Sequence, residues 1–384
     1  MKPRLSALIH SESFVYWIAR LGGMLPLMRV SMRLAALLCA LCLPAALHAQ
    51  GTSPAASLLV LAKQDQTLSI VDPSTLQVVA RMPVGNDPHE VIASTDGRTA
   101  YVSNYGFGAY NTLTEVDLSG RRTIGAIDLG ALRGPHGLTF VGGKTWFTAE
   151  AAKSIGRFDP DTHKVDWILG TGQNRTHMIY VSPDQQRIIT TNVNSGTLSL
   201  IEMQPLRMPG PPPGAAHPHA GPGGPPPGGP GGPIPRKDWN ETVIRVGNGS
   251  EGFDVSPDSK EIWVANAQDA TLSVIDIAAK KVTATLATGT QGANRLKFTP
   301  DGKRVLVSSG PELVVLDAAT HQVIKRIPIG HGSGGVLIQP DGTRAFVACS
   351  PDNYVAVIDL RSLAVVGHIQ AGTEPDGMAW AIRR

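Results

Sequence analysis

A self-similar unit of about 40 residues recurs along this chain and constrains its fold more than any other feature. Each unit contains an acidic residue that closes an apolar strand and a glycine that follows the next strand. The acidic residues are Asp72, Asp117, Asp159, Glu202, Asp276, Asp317 and Asp359. The glycines are Gly85, Gly130, Gly170, Gly247, Gly289, Gly330 and Gly372. Because each set has seven members, the sequence predicts seven equivalent units.

A tight turn such as Pro300-Asp301-Gly302 marks six of the units. Proline presets φ, aspartate caps its own backbone and glycine accepts a positive φ, so this tripeptide favours a hairpin turn. Short alternating segments such as 304–307 lie between the turns and are typical of β-strands. A lone four-stranded sheet cannot bury both faces, whereas a ring of such sheets can. We predict an all-β fold, a seven-bladed β-propeller of four-stranded antiparallel blades.

The two ends of the repeat region complement each other. Residues 377–382 supply only the first strand of a unit, strand a, and residues 58–84 supply only strands b, c and d. Together they make one full blade, whereas an open ring would expose sheet edges. The sequence therefore predicts that the last blade combines N-terminal and C-terminal strands.

The first 49 residues have the pattern of a signal peptide. Residues 28–33 form a short basic segment, residues 34–47 are apolar but short for a membrane span, and Ala49 marks a plausible cleavage point. Residues 1–27 do not fit this pattern, so Met28 or Met32 is an alternative start. We expect residues 1–49 to be removed and residues 50–384 to form a periplasmic or secreted propeller. An uncleaved N-terminal anchor is the alternative.

Charge and cysteine content exclude several classes of function. Residues 1–49 contain five of the 34 basic and one of the 31 acidic residues, so the remaining chain has 29 and 30, a net charge of −1. This balance gives no signal for nucleic-acid binding. Cys349 is the only cysteine after residue 49, which excludes an internal disulfide. The sequence also lacks a nucleophile elbow, a phosphate-binding loop and a haem-attachment motif.

Two motifs carry a resemblance to known families. Residues 100–104 (AYVSN) and 262–266 (IWVAN) are similar to the YVTN repeat, and residues 55–384 as a whole resemble periplasmic YncE-like propellers. This resemblance implies the fold but no particular reaction. Residues 134–160 also resemble one repeat of streptogramin B lyases. Because that likeness covers a single repeat, it transfers no catalytic residue.

One unit contains a long insertion rich in proline and glycine, at 205–238. Its composition cannot bury a core, so a disordered loop is predicted in place of a c–d turn. His217 and His219 within it have side chains that bind copper or zinc, but two histidines do not complete a site. We favour a tolerated loop, and a docking segment for an extracytoplasmic partner is the alternative.

Candidate functional residues fall at one mouth of the central channel, where the first strands of the blades begin. Counting back from the turns places His89, His136, His177, Glu251 and Asp376 at equivalent positions, with Arg175 just before His177. Strand b ends at the same face with Asn104, Glu150, Asn192 and Asn266. The innermost strands of a propeller converge, so we predict that these residues bind a ligand. The asparagines also fit a purely structural role at the strand ends.

The three histidines on consecutive blades raise the possibility of a bound divalent metal. His89, His136 and His177 are the predicted ligands, while His136, His177 and Glu150 are the candidates for acid–base catalysis. Polar residues also line any solvent-filled channel, and a ring can be too wide for three histidines to share one ion. The sequence therefore predicts a divalent metal only as an alternative to a metal-free site.

Three functions remain open. The first is an exported, monomeric binding protein for an unknown small ligand or an extracytoplasmic protein, with no catalysis. The second is a metal-dependent lyase or lactonase-type hydrolase that uses the histidine cluster. The third is an auxiliary protein of a periplasmic redox system, which no residue establishes. Fold alone does not choose among them.

Overall fold

The computed structural model describes residues 56–206 and 237–383, and these residues form β-strands joined by short turns. The predicted signal segment and the centre of the predicted insertion lie outside the described residues. Strand pairing continues to Pro205 on one side of the insertion and resumes at Lys237 on the other. Two single 3₁₀ turns, Gly106–Gly108 and Ser350–Asp352, are the helical elements of the described residues. No helix there has the length and apolar character of a membrane span.

The strands follow one another in hairpins along the chain. The first three are β1 (Ala56–Ala62), β2 (Thr67–Asp72) and β3 (Gln77–Pro83). The next four are β4 (Pro88–Ala93), β5 (Thr99–Asn104), β6 (Thr112–Asp117) and β7 (Arg122–Asp128). They are followed by β8 (Pro135–Val141), β9 (Lys144–Ala149), β10 (Ser154–Asp159) and β11 (Lys164–Gly170). Then come β12 (Thr176–Val181), β13 (Arg187–Asn192), β14 (Thr197–Pro205) and β15 (Lys237–Arg245).

The second half repeats this order. It contains β16 (Ser250–Val255), β17 (Glu261–Asn266), β18 (Thr271–Asp276) and β19 (Lys281–Leu286). It continues with β20 (Ala293–Phe298), β21 (Arg304–Ser309), β22 (Glu312–Asp317) and β23 (Val323–Pro328). The last strands are β24 (Val336–Ile338), β25 (Arg344–Cys349), β26 (Tyr354–Asp359), β27 (Ala364–Ile369) and β28 (Pro375–Ile382).

These strands form seven four-stranded antiparallel sheets, so the predicted seven-bladed propeller is confirmed. Blades 1 to 6 begin at β4, β8, β12, β16, β20 and β24, and each takes four consecutive strands. Blade 7 has the order β28-β1-β2-β3, with Leu58 opposite Trp380 and Leu59 opposite Ala379. The closure predicted from the two incomplete ends is therefore correct.

The two middle strands of each blade, b and c, are apolar because neighbouring blades cover both of their faces. The b strand β17 is buried at every position after Glu261, whereas the d strand β19 alternates between exposed and half-buried residues. The six closing aspartates cap the c–d turns, whereas Glu202 pairs with Arg187 and Lys280. Asp72 Oδ1, for example, accepts a hydrogen bond of 2.8 Å from the Ser74 amide.

Strand a of one blade approaches strand a of the next so closely that some positions require glycine. A Cβ atom on Gly137 would lie 2.5 Å from the His177 carbonyl oxygen and 2.8 Å from Met178 Cα. A Cβ atom on Gly252 would lie 2.6 Å from the Asn294 oxygen. Both contacts are with the backbone of the following blade, so a rotamer change cannot relieve them. These glycines allow the convergence that brings the strand starts together at the channel.

We predict that Gly137→Ala destabilises the fold by about 1–3 kcal/mol, because the added methyl group overpacks a backbone contact between blades. Gly170→Ala is the matched control in the same blade, since its Cβ atom would have no neighbour within 4 Å. Urea denaturation followed by tryptophan fluorescence measures both. Equal stability of the two variants would contradict the packing described above.

We also predict that deleting residues 375–384 lowers the melting temperature far more than deleting residues 208–235. The first deletion removes strand a of blade 7 and opens the ring, which exposes the edge of β1. The second deletion keeps the paired residues Pro205 and Lys237, which a short turn can then connect. Calorimetry of the two deletion variants beside the full chain tests this, and equal losses would contradict the ring closure.

Candidate functional site

The first strand of a blade begins with a β-bulge that sets the channel mouth. In blade 1 the pairing moves from Pro88 opposite Asn104 to Val91 opposite Val102, so two residues face one partner residue. The same shift occurs at the start of β8, β12, β16 and β20. A bulge interrupts the alternation of side chains, so two successive residues can point toward the channel.

Hydroxyl groups of strand b hold these bulges and, in blades 2 and 3, also tie the blade to the next one. Thr148 Oγ1 accepts a hydrogen bond of 2.9 Å from the Gly137 amide and donates one of 2.6 Å to the His177 carbonyl. Thr191 Oγ1 repeats the arrangement one blade later, donating to the Glu251 carbonyl at 2.6 Å. The backbone that carries His177 and Glu251 is therefore fixed by its neighbours.

A cavity of about 320 Å³ opens at this mouth. Its lining includes predicted residues from blades 1, 2, 3, 4 and 7, namely His89, His136, Arg175, His177, Glu251 and Asp376. Lys63, Asn294, Arg295 and the 332–334 loop complete much of the wall. The structure thus brings these six predicted residues together at a single site.

The three histidines form a continuous row on one side of the mouth. The ring centroids of His89 and His136 are 5.1 Å apart, and those of His136 and His177 are 3.9 Å apart. His136 and His177 are almost fully buried. Tyr105 packs edge-on against both His89 and His136. The row is therefore a packed part of the wall.

A chain of hydrogen bonds runs from this row into the carboxylates. Tyr105 Oη donates to Glu150 Oε2 at 2.5 Å, and Glu150 Oε1 lies 2.5 Å from His177 Nδ1. On the other side of the ring, His177 Nε2 lies 2.8 Å from Glu251 Oε2. The His177 imidazole is consequently held between two carboxylates.

Two arginines extend this network. Arg175 contacts Glu150 at 3.3 Å and Glu251 at 3.4 Å. Arg295 of blade 5 pairs with Glu90 of blade 1 at 2.7 Å, so this ion pair spans the channel. Both members of the pair also line a second cavity of about 370 Å³ that lies deeper in the channel. The pair therefore lies where the two cavities meet, since Arg295 also lines the mouth cavity.

Burial and the neighbouring charges move the pKa values of the two inner histidines in opposite directions. Burial, followed by the charges of His177, His89 and the two arginines, holds the pKa of His136 well below its usual value. Burial also opposes the charged form of His177, but hydrogen bonds with Glu150 and Glu251 outweigh it and raise the pKa. Protonation is therefore disfavoured at His136 and favoured at His177.

The carboxylates beside His177 remain ionised for the same reason. Burial opposes ionisation of Glu251, yet the bond to His177 and the charges of the arginines lower its pKa to about 2. The pKa of Glu150 is also lowered, because the bonds from His177 and Tyr105 outweigh its burial. The site therefore holds buried charges of both signs in contact.

The predicted asparagines do not join this site. Asn104, Asn192 and Asn266 are buried, and each amide group donates to two hydroxyls on strand c of its own blade. None of them lines the mouth cavity. They lock the end of strand b to the start of strand c, the structural role that the sequence also allowed.

Four residues of the site were not predicted: Lys63, Glu90, Tyr105 and Arg295. Glu90 directly follows His89, and Arg295 directly follows Asn294, the equivalent residue of blade 5. If side chains alternated strictly along strand a, Glu90 and Arg295 would point away from the channel. The bulge returns them to it. Four other blades carry glycine at this position. The charge of Glu90 and Arg295 was therefore the signal in the sequence that could have identified them as site residues.

Among the described residues, one group of three side chains has the spacing of a metal site. It consists of His136, Glu150 and His177, whose nearest ligand atoms all lie within 4.8 Å of one another. The sequence predicted His89 as the third metal ligand, whereas Glu150 completes the group in the structure. The His89 Nδ1 atom instead faces Asp87, 3.4 Å from its carboxylate.

Known proteins with the same fold are numerous. A functionally unknown protein from Desulfotomaculum acetoxidans has a TM-score of 0.65 at 12% identity, covering 84% of this chain and 98% of that one. Hydrazine synthase from Kuenenia stuttgartiensis has a TM-score of 0.61 at 17% identity, covering 79% and 92%. The dihydro-heme d1 dehydrogenase NirN has a TM-score of 0.54 at 15% identity, covering 84% and 74%. At these identities the likeness shows a shared fold.

Sequence comparison gives a narrower result. No curated protein matches this chain significantly. Residues 234–344, in the second half of the ring, match the family of YncE-like β-propellers. This family match and the seven blades of the structure confirm the predicted resemblance: residues 234–344 are similar to YncE-like propellers, and the chain folds as a seven-bladed β-propeller.

Proposed function

We propose that this propeller is an exported binding protein that takes a small anionic molecule into the cavity at its channel mouth. The cavity volume of about 320 Å³ is within the range of small-molecule sites. Its walls come from several blades and are fixed by hydrogen bonds between them, so the pocket is preformed. A preformed pocket reduces the ordering cost of binding.

The observation that carries the proposal is the unequal exposure of the charges. The Arg175 and Lys63 side chains are 31% and 25% exposed, whereas those of Glu251 and Asp376 are each 14% exposed. An incoming molecule therefore meets the cations first. Arginine in particular provides paired donors for a carboxylate or phosphate group.

The backbone at Arg175 is compatible with glycine. Arg175 has a left-handed φ of 57° two residues before strand a position His177. Gly134, Gly249 and Gly292 occupy the equivalent place in blades 2, 4 and 5 with φ of 60–70°, and Asp87 and Glu374 occupy it in blades 1 and 7 with φ of 49° and 55°. A side chain in this conformation costs about 1–2 kcal/mol relative to glycine. Glycine at position 175 would therefore keep the course of the backbone and remove only the guanidinium group.

A metal-assisted lyase or hydrolase is the second candidate function. The arrangement that favours it is the His177 ring between Glu150 and Glu251, because a histidine oriented by a carboxylate is suited to general acid–base catalysis. Recovery of a bound compound unchanged after prolonged incubation distinguishes binding from turnover. The redox-auxiliary role has only the shared fold of hydrazine synthase and NirN in its favour.

We predict that Arg175→Gly weakens binding of small anions at least about tenfold, the loss expected for one charged hydrogen bond. The stability should change by less than about 1 kcal/mol, because relief of backbone strain offsets the lost ion pairs. A thermal-shift screen of carboxylates and phosphate monoesters, followed by titration calorimetry, measures the first effect. Chemical denaturation measures the second.

Arg326→Gln is the matched control, since Arg326 also pairs with a glutamate, Glu312, but lies on the outer strand of blade 5. It should bind the same compounds as the unaltered chain. Two results would refute an anion site at the mouth: equal anion affinity in Arg175→Gly and the unaltered chain, or a screen in which only neutral compounds bind.

Export is the other part of the proposal, and it rests on the basic and apolar segments of residues 28–47. We expect mass spectrometry of the protein from the native cell envelope to find an N-terminus near Gln50. Finding residues 1–49 attached to the envelope protein would indicate an anchor instead. Recovery of the full-length chain from the cytosol alone would contradict export.

A further inference from the structure

The short contact between the His177 and Glu150 side chains requires a proton or a metal ion between them. His177 Nε2 is already directed at Glu251, 2.8 Å away, and its Nδ1 lies 2.5 Å from Glu150 Oε1. A carboxylate oxygen only accepts hydrogen bonds, and a bare ring nitrogen would present a lone pair to it. Either a proton or a metal ion therefore lies between these atoms.

His136 distinguishes the two cases. Its Nδ1 atom is buried and has no hydrogen-bond partner among the described residues. The ring packs against His177 with the centroids 3.9 Å apart, so it has no room for a large reorientation. A proton shared by His177 and Glu150 leaves this nitrogen unsatisfied, which is unfavourable in a buried site. A metal ion bound by His136 through Nδ1, together with Glu150 and His177, would give this nitrogen a partner.

We propose that His136, Glu150 and His177 bind one divalent late first-row transition ion, with Zn²⁺ as the reference ion. Two imidazoles and one carboxylate are a common ligand set for such ions. Tetrahedral Zn²⁺ bonds of about 2.0–2.1 Å place ligand atoms roughly 3.3 Å apart. The ligand atoms here lie between 2.5 Å and 4.8 Å apart, so small side-chain shifts suffice.

The surrounding residues already have the arrangement of an outer shell. His177 directs its second nitrogen at Glu251, the carboxylate–histidine–metal arrangement that fixes the ring orientation. Tyr105 donates to the second oxygen of Glu150 and fixes that carboxylate.

His136 and His177 also line the mouth cavity, so the ion would keep a coordination position open to it. This inference goes beyond the proposed function because metal binding needs no organic ligand. Replacing the proton by a divalent ion adds one positive charge to a site that already contains Arg175 and Arg295. An anion in the cavity would balance that charge.

The test uses the full chain after chelator treatment, with Zn²⁺ or Co²⁺ as the only added ligand. We expect one equivalent of Zn²⁺ in titration calorimetry and the intense visible absorption of four-coordinate Co²⁺. His136→Gln and Glu150→Gln should each lower the Zn²⁺ affinity at least about tenfold. Titration of Zn²⁺ in a buffer free of carboxylates and phosphates separates the two proposals, because the metal should bind with no small anion present.

Two controls address other histidines. His331→Gln removes an exposed histidine paired with Asp352 and should leave affinity unchanged. The double variant His217→Gln, His219→Gln tests the insertion and should also bind normally. If either ligand variant fails to fold, electron paramagnetic resonance of Cu²⁺ in the unaltered chain decides by showing two coordinated imidazoles. Absence of stoichiometric binding, or its loss in the insertion variant alone, would overturn the proposal.

Discussion

The pairing of β1 with β28 is the interaction on which the rest of the molecule depends. It joins residues 56–62 to residues 375–382 and turns a row of sheets into a closed ring. Closure brings strand a of blade 7 against strand a of blade 1, so that Asp376 and His89 border the same cavity. A site lined by residues of all seven blades exists only because these two ends of the chain meet.

Within that ring, buried charges are concentrated on one part of the channel mouth. Arg175 and Arg295 are cationic, and Glu90, Glu150 and Glu251 provide the opposing charges around the His177 ring. Buried ion pairs contribute little to stability relative to apolar packing. Blade 6 forms the same strand arrangement with Gly334 at the equivalent position. The fold therefore does not require this network, which is why we attribute it to binding.

The sequence allowed the fold and much of the site to be predicted, because both follow from residues at fixed places in a repeat. His89, His136, His177 and Glu251 were found by counting from the turns. Glu90 and Arg295 were not, because a bulge breaks the alternation that such counting assumes.

Contacts between blades were also beyond the sequence. Tyr105 reaches Glu150 of the following blade, and no spacing within one repeat encodes that contact. The role of the asparagines could not be predicted either, because a polar residue at a strand end can bond either to a ligand or to a neighbouring hydroxyl group. Only the position of the amide relative to strand c separates these alternatives.

The ion pair between Glu90 and Arg295 crosses the channel where the mouth cavity and the deeper cavity meet. A molecule held above this pair reaches solvent through the face on which His89 and Asp376 lie. A protein docked over that face would trap the occupant. The long connection between β14 and β15 joins the ring at the opposite face, where a bound partner would leave exchange unhindered.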